Sequence, residues 1–272
     1  MSPAEIRNAA ERFQFHSFHE AEDDELERAG MDIVSDTCLL AASISDRKVM
    51  ARWACDCPEE LEGVLGSWLP RHVDDVVILE FIPPHFRPRL EAIGFTVYCE
   101  YVDFWLTRVE PIPEESGGAS VRIRDASSEE LGVVSGITRK CESQSRGFTV
   151  ETIESLSKWL QGPSNRIAVA LVGDRIVGHV LLSTYAFYSS EGGVVWIREL
   201  AADPAFRRRG IGRKLLVHGI NWGHAQGAKR SFLACDNENY GAIQLYEKFG
   251  YKRNPGQGQL NMIHDRRPRS DS

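Results

Sequence analysis

Two glycines separated by one residue lie among five basic side chains in the second half of the chain. The stretch that begins at Phe206 reads FRRRGIGRKLL and contains Gly210 and Gly212. Glycines at this spacing let the backbone bend sharply and come close to a ligand. If a helix begins there, its first amide groups and the positive end of its dipole point at one place. The stretch therefore predicts a site for a phosphate or pyrophosphate group. The basic residues are Arg207, Arg208, Arg209, Arg213 and Lys214.

Two common phosphate loops fit this stretch poorly. A dinucleotide-binding fingerprint needs a third glycine, and Leu215 stands at that position. A P-loop needs glycine before its lysine and Ser or Thr after it, whereas Arg213 and Leu215 flank Lys214. The stretch instead reads Arg-x-x-Gly-x-Gly, and the segment before it ends in Leu-Ala-Ala-Asp-Pro. A third kind of phosphate loop is therefore needed.

A second informative stretch runs from Asp236 to Tyr251 and reads DNENYGAIQLYEKFGY. It contains the pattern Asn-x-x-Ala-x-x-Leu-Tyr-x-x-x-Gly-aromatic, which starts at Asn239 and includes Tyr246. The two stretches follow each other about 30 residues apart. In this order they resemble the pyrophosphate loop and the other hallmark motif of the GCN5-related N-acetyltransferases, the large acetyl-CoA-dependent GNAT family.

The resemblance implies that acetyl-CoA is the cosubstrate and that no metal takes part. In the family, the strand before the turn pairs with the pantetheine arm like an added strand, and one of its amides faces the thioester oxygen. Backbone donors aimed at a developing oxyanion are among the larger catalytic effects. Asn239 matches an asparagine that commonly bonds the pantetheine arm, and it could equally be a helix N-cap. The predicted cofactor-binding residues are Leu200, Ala201, Ala202, Arg207, Arg208, Arg209, Gly210, Ile211, Gly212, Arg213, Lys214 and Asn239.

The resemblance also implies two catalytic residues. Tyr246 matches the family's tyrosine that lies near the cofactor sulfur and protonates the leaving thiolate; a phenol with a pKa of about 10 is protonated at neutral pH. A core tyrosine on an amphipathic helix is the alternative interpretation. Glu199 is the predicted general base, because many family members carry a base on this strand. His179 and a water relay stay open as alternatives; relatives with a glutamate on the following strand have it where Ala234 lies here.

These residues predict an N-acetyltransferase. It would move the acetyl group of acetyl-CoA to a primary amine of a small molecule or peptide, by direct attack in a ternary complex. No cysteine lies in a nucleophile motif, which disfavours a covalent acyl-enzyme. The alternative is a CoA-binding module without catalysis, such as a sensor or a subunit of an assembly. The acceptor is not specified by the sequence.

The composition is that of a globular protein with room for two domains. The chain has 272 residues, of which 42% are hydrophobic and 26% charged. It contains no apolar run long enough to span a membrane and no apolar signal core at its N-terminus, so we predict a cytoplasmic location without a membrane partner. The six cysteines are too sparse for a disulfide framework, which favours reduced thiols.

The net charge of −7 conceals an asymmetry between the two halves. Residues 1–116 carry 10 Lys and Arg against 24 Asp and Glu, a charge of −14, and residues 117–272 carry 22 against 15, a charge of +7. The basic half contains the phosphate loop, which suits a cofactor with several phosphate charges. Nucleic acid is the rival partner, but an acidic first half would repel it and no base-stacking motif is present. We therefore predict no nucleic-acid partner.

The elements that must position these residues alternate between strands and helices, which predicts a mixed α/β fold. A strand over Val194–Ala202 precedes the turn, and a helix follows it to about Ala225. Ser231–Cys235 is the next strand and Tyr240–Phe249 the next helix. Upstream, we predict a helix over Thr149–Leu160. The polar loop over residues 141–148 would border the acceptor site by resemblance.

The chain is predicted to contain two domains joined by a linker. Residues 1–109 form the first domain, residues 110–119 a Pro- and Gly-rich linker, residues 120–264 the catalytic domain and residues 265–272 a flexible tail. The first domain repeats the β-β-α-β-α-β order of the second at an offset of 156 residues, with Leu90 where Tyr246 stands. It is therefore interpreted as a shortened, degenerate GNAT-like unit, with an unrelated α/β domain as the alternative. Such a chain could be a monomer or a homodimer.

Overall fold

A computed structural model describes residues 1–21, 23–45, 47–113 and 121–266, without the side chains of Asp24 and of residues 255–257. The described residues form two compact units. The first unit comprises those of Met1–Glu100 and Gln259–Ser272, and the second those of Tyr101–Gly258. Each unit combines a mixed sheet with helices, so the predicted mixed α/β class is confirmed. No helix in the described part of the chain is both long and apolar enough to cross a bilayer.

Strands and helices alternate along the whole chain. The elements before residue 113 are α1 (Pro3–Ala10), β1 (Phe15–His16), α2 (Asp23–Arg28), β2 (Gly30–Val34), β3 (Cys38–Ser45), β4 (Lys48–Cys55), α3 (Pro58–Trp68), β5 (Val76–Leu79), α4 (Arg87–Ala92) and β6 (Thr96–Leu106). The elements after residue 120 are β7 (Val121–Asp125), α5 (Leu131–Cys141), α6 (Ile153–Gln161), β8 (Asn165–Val172), β9 (Arg175–Tyr185), β10 (Val194–Ala202), α7 (Ile211–Ala225), β11 (Arg230–Asp236), α8 (Tyr240–Lys248) and β12 (Lys252–Asp265).

The first unit is a sheet in the order β2-β3-β4-β5, extended by the C-terminal part of β12. Strands β4 and β5 run parallel, and the other neighbours in this sheet are antiparallel. Large aromatic side chains fill its core, including Trp53, Trp68, Phe86 and Phe95. The buried faces of β4, α3 and α4 are thereby held against one another.

The second unit is a sheet in the order β7-β8-β9-β10-β11, extended by the Tyr101–Leu106 part of β6. Strands β10 and β11 are parallel. Helices α7 and α8 pack on one face of this sheet in a core that contains Leu215, Ile220 and Ile243. Helices α5 and α6 pack on the other face through a separate cluster. Each strand therefore presents alternate residues to one pair of helices or the other.

Helix α7 approaches strand β10 very closely. A Cβ atom on Gly223 would lie 2.4 Å from the Cβ of Val195, and one on Gly219 would lie 2.8 Å from Ile197 Cδ1. Both distances are shorter than a carbon contact allows, so a larger residue at Gly223 would need β10 to move, and one at Gly219 would need the Ile197 side chain to move. The later turns of α7 therefore pack closely against the first half of β10.

The units do not follow the predicted boundaries at residues 109 and 264. Val109 belongs to the core of the second unit, and Ile112 exchanges two hydrogen bonds with the Asn221 side chain of α7, at 2.7 and 2.9 Å. Conversely, His264 and Asp265 pair with β5 in the first unit. Strand pairing, rather than closeness in sequence, therefore assigns these segments. Residues 114–119 of the predicted linker and 267–272 of the predicted tail lie outside the described residues.

Most predicted elements agree with the structure within a few residues, and two of the local differences have a clear reason. The helix predicted over Thr149–Leu160 begins at Ile153, because the Thr152 side chain accepts a hydrogen bond from the Ser155 amide and caps the helix. Strand β2 (Gly30–Val34) is not predicted, because its residues alternate between exposed and half-buried and none of them is buried.

Candidate active site

The parallel strands β10 and β11 separate part of the way along their length. They are paired from Val194 with Arg230 to Trp196 with Phe232, and their recorded pairing ends there. Strand β10 continues to Ala202, paired on its other side with β9. Within the described residues, no strand pairs with the β11-facing edge of Leu200, Ala201 and Ala202. Unpaired backbone groups along such an edge can bind an extended ligand as an added strand.

The turn after β10 presents the first amides of α7 to the same place. Asp203 ends the strand and accepts a hydrogen bond from the Ala205 amide at 3.0 Å. Gly210 adopts a left-handed conformation with φ of 75°, and the first helical hydrogen bond joins the Lys214 amide to the Gly210 carbonyl at 3.0 Å. No side chain caps this helix. The amides of Ile211 and Gly212, which precede the first helical bond, can therefore bind an anion at the positive end of the helix dipole.

A groove of about 780 Å³ extends from the end of β10 over this turn to helix α8. Three arginine side chains line it together with the turn itself, which suits a pyrophosphate group. The predicted cofactor-binding residues that line it are Ala202, Arg207, Arg208, Gly210, Ile211, Gly212 and Arg213. The structure thus brings together seven of the twelve residues that the sequence indicated.

The other five predicted cofactor residues lie outside this lining. Leu200 and Ala201 lie on β10 itself, where backbone groups rather than side chains were expected to act. The Arg209 guanidinium lies over the Phe206 ring at 5.1 Å. Asn239 caps α8, because its Oδ1 accepts a hydrogen bond from the Ala242 amide at 3.3 Å. The N-cap interpretation of Asn239 therefore describes its contact in the structure. Lys214 follows in the first turn of α7.

Helix α8 supplies a wall of the groove that the motif pattern did not single out. The additional lining residues are Phe206, Gly241, Gln244, Leu245, Lys248 and Phe249. Four of them, Gly241, Gln244, Leu245 and Lys248, are spaced three and four apart, which places them on one face of a helix. This spacing is visible in the sequence and could have identified the wall once the groove was expected.

Tyr246 lies on the buried face of α8. Its ring packs 6.2 Å from Phe104 and 6.1 Å from Tyr251, and burial raises the pKa of its phenol well above the ordinary value. The pKa of the neighbouring Cys235 thiol is raised to about 12 by burial. Among the described residues, the Tyr246 hydroxyl has no hydrogen-bond partner. A protonated phenol without an internal partner is suited to donate its proton to a bound group.

Glu199 and His179 form a hydrogen-bonded pair on the opposite face of the sheet, the face on which α5 and α6 pack. Glu199 Oε1 lies 2.6 Å from His179 Nε2, because antiparallel pairing of β9 and β10 places them diagonally across from each other. The His179 side chain is completely buried and its Nδ1 has no partner in the structure. A carboxylate oxygen accepts hydrogen bonds, so His179 Nε2 is the donor of this contact. Glu199 is then the member of the pair that reaches the surface.

The polar loop after α5 is attached to both strands of the site. Arg146 forms a bidentate ion pair with Asp236 at the end of β11, with distances of 2.9 and 3.1 Å, and a further ion pair with Glu238. At the start of the loop, the Cys141 thiol donates to the Ala202 carbonyl at 3.4 Å, and burial raises its pKa. A thiol held in this way is a poor nucleophile. The loop therefore borders the site, with its position fixed at both ends.

Comparison with known proteins gives the same family that the sequence motifs suggested. Residues 137–251 match the model of the acetyltransferase (GNAT) family. The chain is 35% identical over 71 residues to an uncharacterized N-acetyltransferase of Methanocaldococcus jannaschii, covering 26% of this chain and 31% of that protein. It is 42% identical over 52 residues to the ribosomal protein bS18 alanine N-acetyltransferase of Salmonella typhimurium, covering 19% of this chain and 35% of that protein. The chain thus spans about a third of the length of these curated relatives.

The fold is similar to that of a solved GCN5-related N-acetyltransferase from Sphaerobacter thermophilus. That match has a TM-score of 0.59 at 16% sequence identity and covers 87% of this chain and 79% of the other. The matched residues 137–251 include the separated strands β10 and β11 and the turn at the start of α7, so the similarity to the GNAT family lies in the second unit. That the first unit is a degenerate copy of the same fold stays a prediction.

Proposed function

We propose that the second unit transfers the acetyl group of acetyl-CoA to a primary amine by direct attack in a ternary complex. The observation that carries this proposal is the open edge of β10 that leads directly into the groove at the first turn of α7. A pantetheine arm paired along that edge would place a pyrophosphate on the free amides and its thioester between β10 and β11. Among the described residues, no other open strand edge leads directly into a groove at the first turn of a helix.

The backbone and the arginines would hold the cofactor. Arg207, Arg208 and Arg213 line the groove and supply positive charge around the pyrophosphate. An amide between Leu200 and Ala202 would donate to the thioester oxygen, and a preorganised donor of this kind stabilises the oxyanion of the tetrahedral intermediate. Neither step needs the Asn239 side chain, which is occupied as a cap.

The two proton transfers involve residues on opposite faces of the sheet, Glu199 on the face of α5 and α6 and Tyr246 on the face of α7 and α8. Glu199 accepts the proton of the acceptor ammonium, directly or through water, and the free amine attacks the thioester carbon. The C–S bond breaks as the tetrahedral intermediate collapses, and Tyr246 protonates the departing thiolate of CoA. The phenolate then recovers a proton from solvent. His179 holds the Glu199 carboxylate in place by donating from Nε2.

The test measures thiol release from acetyl-CoA with a panel of amines, in wild type and in Tyr246→Phe. We expect turnover to fall about 10²- to 10⁴-fold in the variant, the usual contribution of a general acid. Affinity for acetyl-CoA should stay unchanged, because the hydroxyl does not line the cofactor groove.

Tyr251→Phe is the matched control. Tyr251 is also a buried tyrosine, but its hydroxyl is hydrogen-bonded to Ser231 Oγ at 2.6 Å. Its loss should lower stability without lowering turnover. Equal turnover in wild type and Tyr246→Phe would remove the general-acid role, and an absence of acetyl-CoA binding would remove the proposed function altogether. The cytoplasmic location, the absence of a nucleic-acid partner and the choice between monomer and homodimer stay predictions from the sequence.

A further inference from the structure

The face of the second sheet on which α5 and α6 pack extends past both helices onto β11 and β6. Phe104, Leu233 and Cys235 point to the opposite face, because they belong to the core under α7 and α8. The residues that alternate with them therefore lie on the α5 face. On this face Ala234 of β11 is directly paired with Asp103 of β6 and is exposed to solvent. The sheet is thus open to a ligand beside Asp103.

Most charged side chains on this face are paired with an opposite charge or a hydrogen-bond partner. The pairs are Glu199 with His179, Glu151 with Arg198, Asp236 and Glu238 with Arg146, and Glu191 with Arg230. Asp103 differs from them. Among the described residues, the Asp103 carboxylate forms neither a hydrogen bond nor an ion pair. A half-buried carboxylate without a partner is costly in the folded protein, unless a ligand supplies the cation.

The surroundings of Asp103 are suited to a cation with an apolar linker. Trp105, two residues along the same strand, contacts Phe232 of β11 with ring centroids 4.9 Å apart, and the Arg230 guanidinium already lies over the Trp105 ring at 5.3 Å. Trp196 lies on β10 beside Phe232, in register with it. Aromatic faces attract cations, and their flat surfaces cover methylene groups. Asp103 is half-buried, and this partial desolvation of its carboxylate raises its pKa. A desolvated carboxylate binds an ammonium group more strongly than a fully hydrated one.

We propose that Asp103 binds a second cationic nitrogen of the acceptor, so that the acceptor is a diamine or polyamine. This inference rests on the proposed function, in which Glu199 receives the proton of the reacting nitrogen. The two carboxylates lie on the strands that flank β11, Asp103 on β6, where it is paired with Ala234, and Glu199 on β10. Two strand spacings correspond to about 10 Å, and the divergence of β10 from β11 adds to this distance. The aromatic rings of Phe232 and Trp196 would cover the carbon chain between the two nitrogens.

The experiment compares α,ω-diamines from diaminobutane to diaminooctane with the monoamine of equal carbon number. We expect the longer diamines to have a KM at least about tenfold below that of the matching monoamine, the usual effect of one charge-assisted contact. Asp103→Asn keeps the size of the side chain and removes its charge. It should raise KM for the diamines to the monoamine value, with kcat nearly unchanged and KM for monoamines and acetyl-CoA unchanged.

Two further measurements keep failure of this inference distinct from failure of the proposed function. Calorimetric binding of diaminooctane to the CoA-saturated protein needs no turnover and should weaken about tenfold in Asp103→Asn. Asp174→Asn, in the exposed turn between β8 and β9, removes the same charge away from the site and should change nothing. Equal KM values for diamines and monoamines, or an equal change for both in Asp103→Asn, would overturn the inference while leaving the acetyltransferase intact. A protein that does not bind acetyl-CoA would overturn both.

Discussion

Each unit contains a pair of parallel strands that separates along its length, but only one separation is left open. In the second unit β10 leaves β11 after Trp196 and has a free edge. In the first unit β4 is paired with β5 only as far as Ala51 with Leu79. Beyond that point the two-residue strand β1 covers the free edge of β4, because Phe15 and His16 pair with Cys55 and Ala54. Strand β3 pairs with the other edge of β4 along its whole length. The chain itself fills the place that an extended ligand could take.

The interior of the first separation is closed by side chains. Arg52 lies at the point where β4 leaves β5 and bridges Glu25 and Glu80, at 2.7 and 2.8 Å. The Trp53 indole N–H donates to the Glu80 carbonyl at 2.9 Å across the same gap. These contacts connect the two strands where the backbone pairing has stopped. The same strand geometry can therefore be either a binding cleft or a sealed junction, depending on what the neighbouring segments supply.

The helices that follow the two strands differ in the same way. Helix α7 begins at Ile211, directly after Gly210, and no side chain caps it, so the amides of Ile211 and Gly212 can bind a ligand. Ahead of α3, Glu60 accepts hydrogen bonds from the amides of Asp56 and Cys57 at 3.0 and 3.3 Å. A carboxylate already occupies this N-terminus and would repel a phosphate. Acetyl-CoA needs an open strand edge and free helix amides. The second unit offers both, whereas in the first unit β1 covers the strand edge and Glu60 binds the amides ahead of the helix.

The largest expected effect comes from breaking the sealed junction. Arg52→Ala would leave Glu80 beside Glu25 without a cation, and burial already raises the pKa of Glu80. Removal of one partner from a buried ion pair typically costs about 3–5 kcal/mol. We expect a loss of this size in the free energy of opening β4, measured by hydrogen exchange of peptides that cover Lys48–Cys55.

Arg198→Ala is the comparison in the second unit. Arg198 is about one-third exposed, pairs with Glu151 and lies 4.9 Å from the Trp159 ring. Its removal should cost less than that of Arg52, which is 7% exposed and bridges two carboxylates. Equal losses in both variants would mean that Arg52 does not close its junction more firmly than an arginine that is one-third exposed does.

Local elements of the site could be predicted from the sequence, and long-range pairings could not. Strand β10 has the predicted ends, Val194 and Ala202, because β-branched residues begin it and Asp203-Pro204 stops it. The turn at Gly210 followed from residue types alone. The contact between His179 and Glu199 was not predicted, although both residues had been considered as separate bases. It depends on the register of β9 against β10, which no periodicity specifies.

Because strand partners cannot be predicted from periodicity, the predicted domain boundaries differ from those of the units, and the sequence does not indicate Asp103 as a site residue. The sequence places Tyr101–Leu106 well before the Pro- and Gly-rich segment, so it was assigned to the first domain. Pairing with β11 places it in the second unit instead. Strand β1 was also missed, because two residues are too few to show an alternating pattern. Hydrophobic alternation indicates that a segment is a strand but does not indicate its partner.

The next effect concerns the open site. If only the second separation binds acetyl-CoA, calorimetry should give one cofactor per chain, and Gly210→Val should weaken it. Gly210 has φ of 75°, where a β-branched residue is strained by about 2 kcal/mol, so Kd should rise roughly thirtyfold. Gly63→Val in α3 makes the same change where a Cβ meets nothing within 4 Å, and should leave Kd unchanged. Two cofactors per chain would contradict the comparison.

The smallest expected effect comes from loosening β1 where it covers the edge of β4. The completely buried Ser17 continues this strand: its amide donates to the Trp53 carbonyl at 2.9 Å, and its Oγ accepts from the Trp53 amide at 3.0 Å. Ser17→Ala removes the second bond, together with the long 3.4 Å bond that the hydroxyl donates to the Trp53 carbonyl, and keeps the first. The cost should be about 1 kcal/mol, the low end for an unpaired buried donor. Hydrogen exchange at Trp53 should then quicken about fivefold while calorimetry still finds one acetyl-CoA per chain. A second bound cofactor in this variant would instead make β1 a gate over a working cleft, and the first unit could no longer be interpreted as closed.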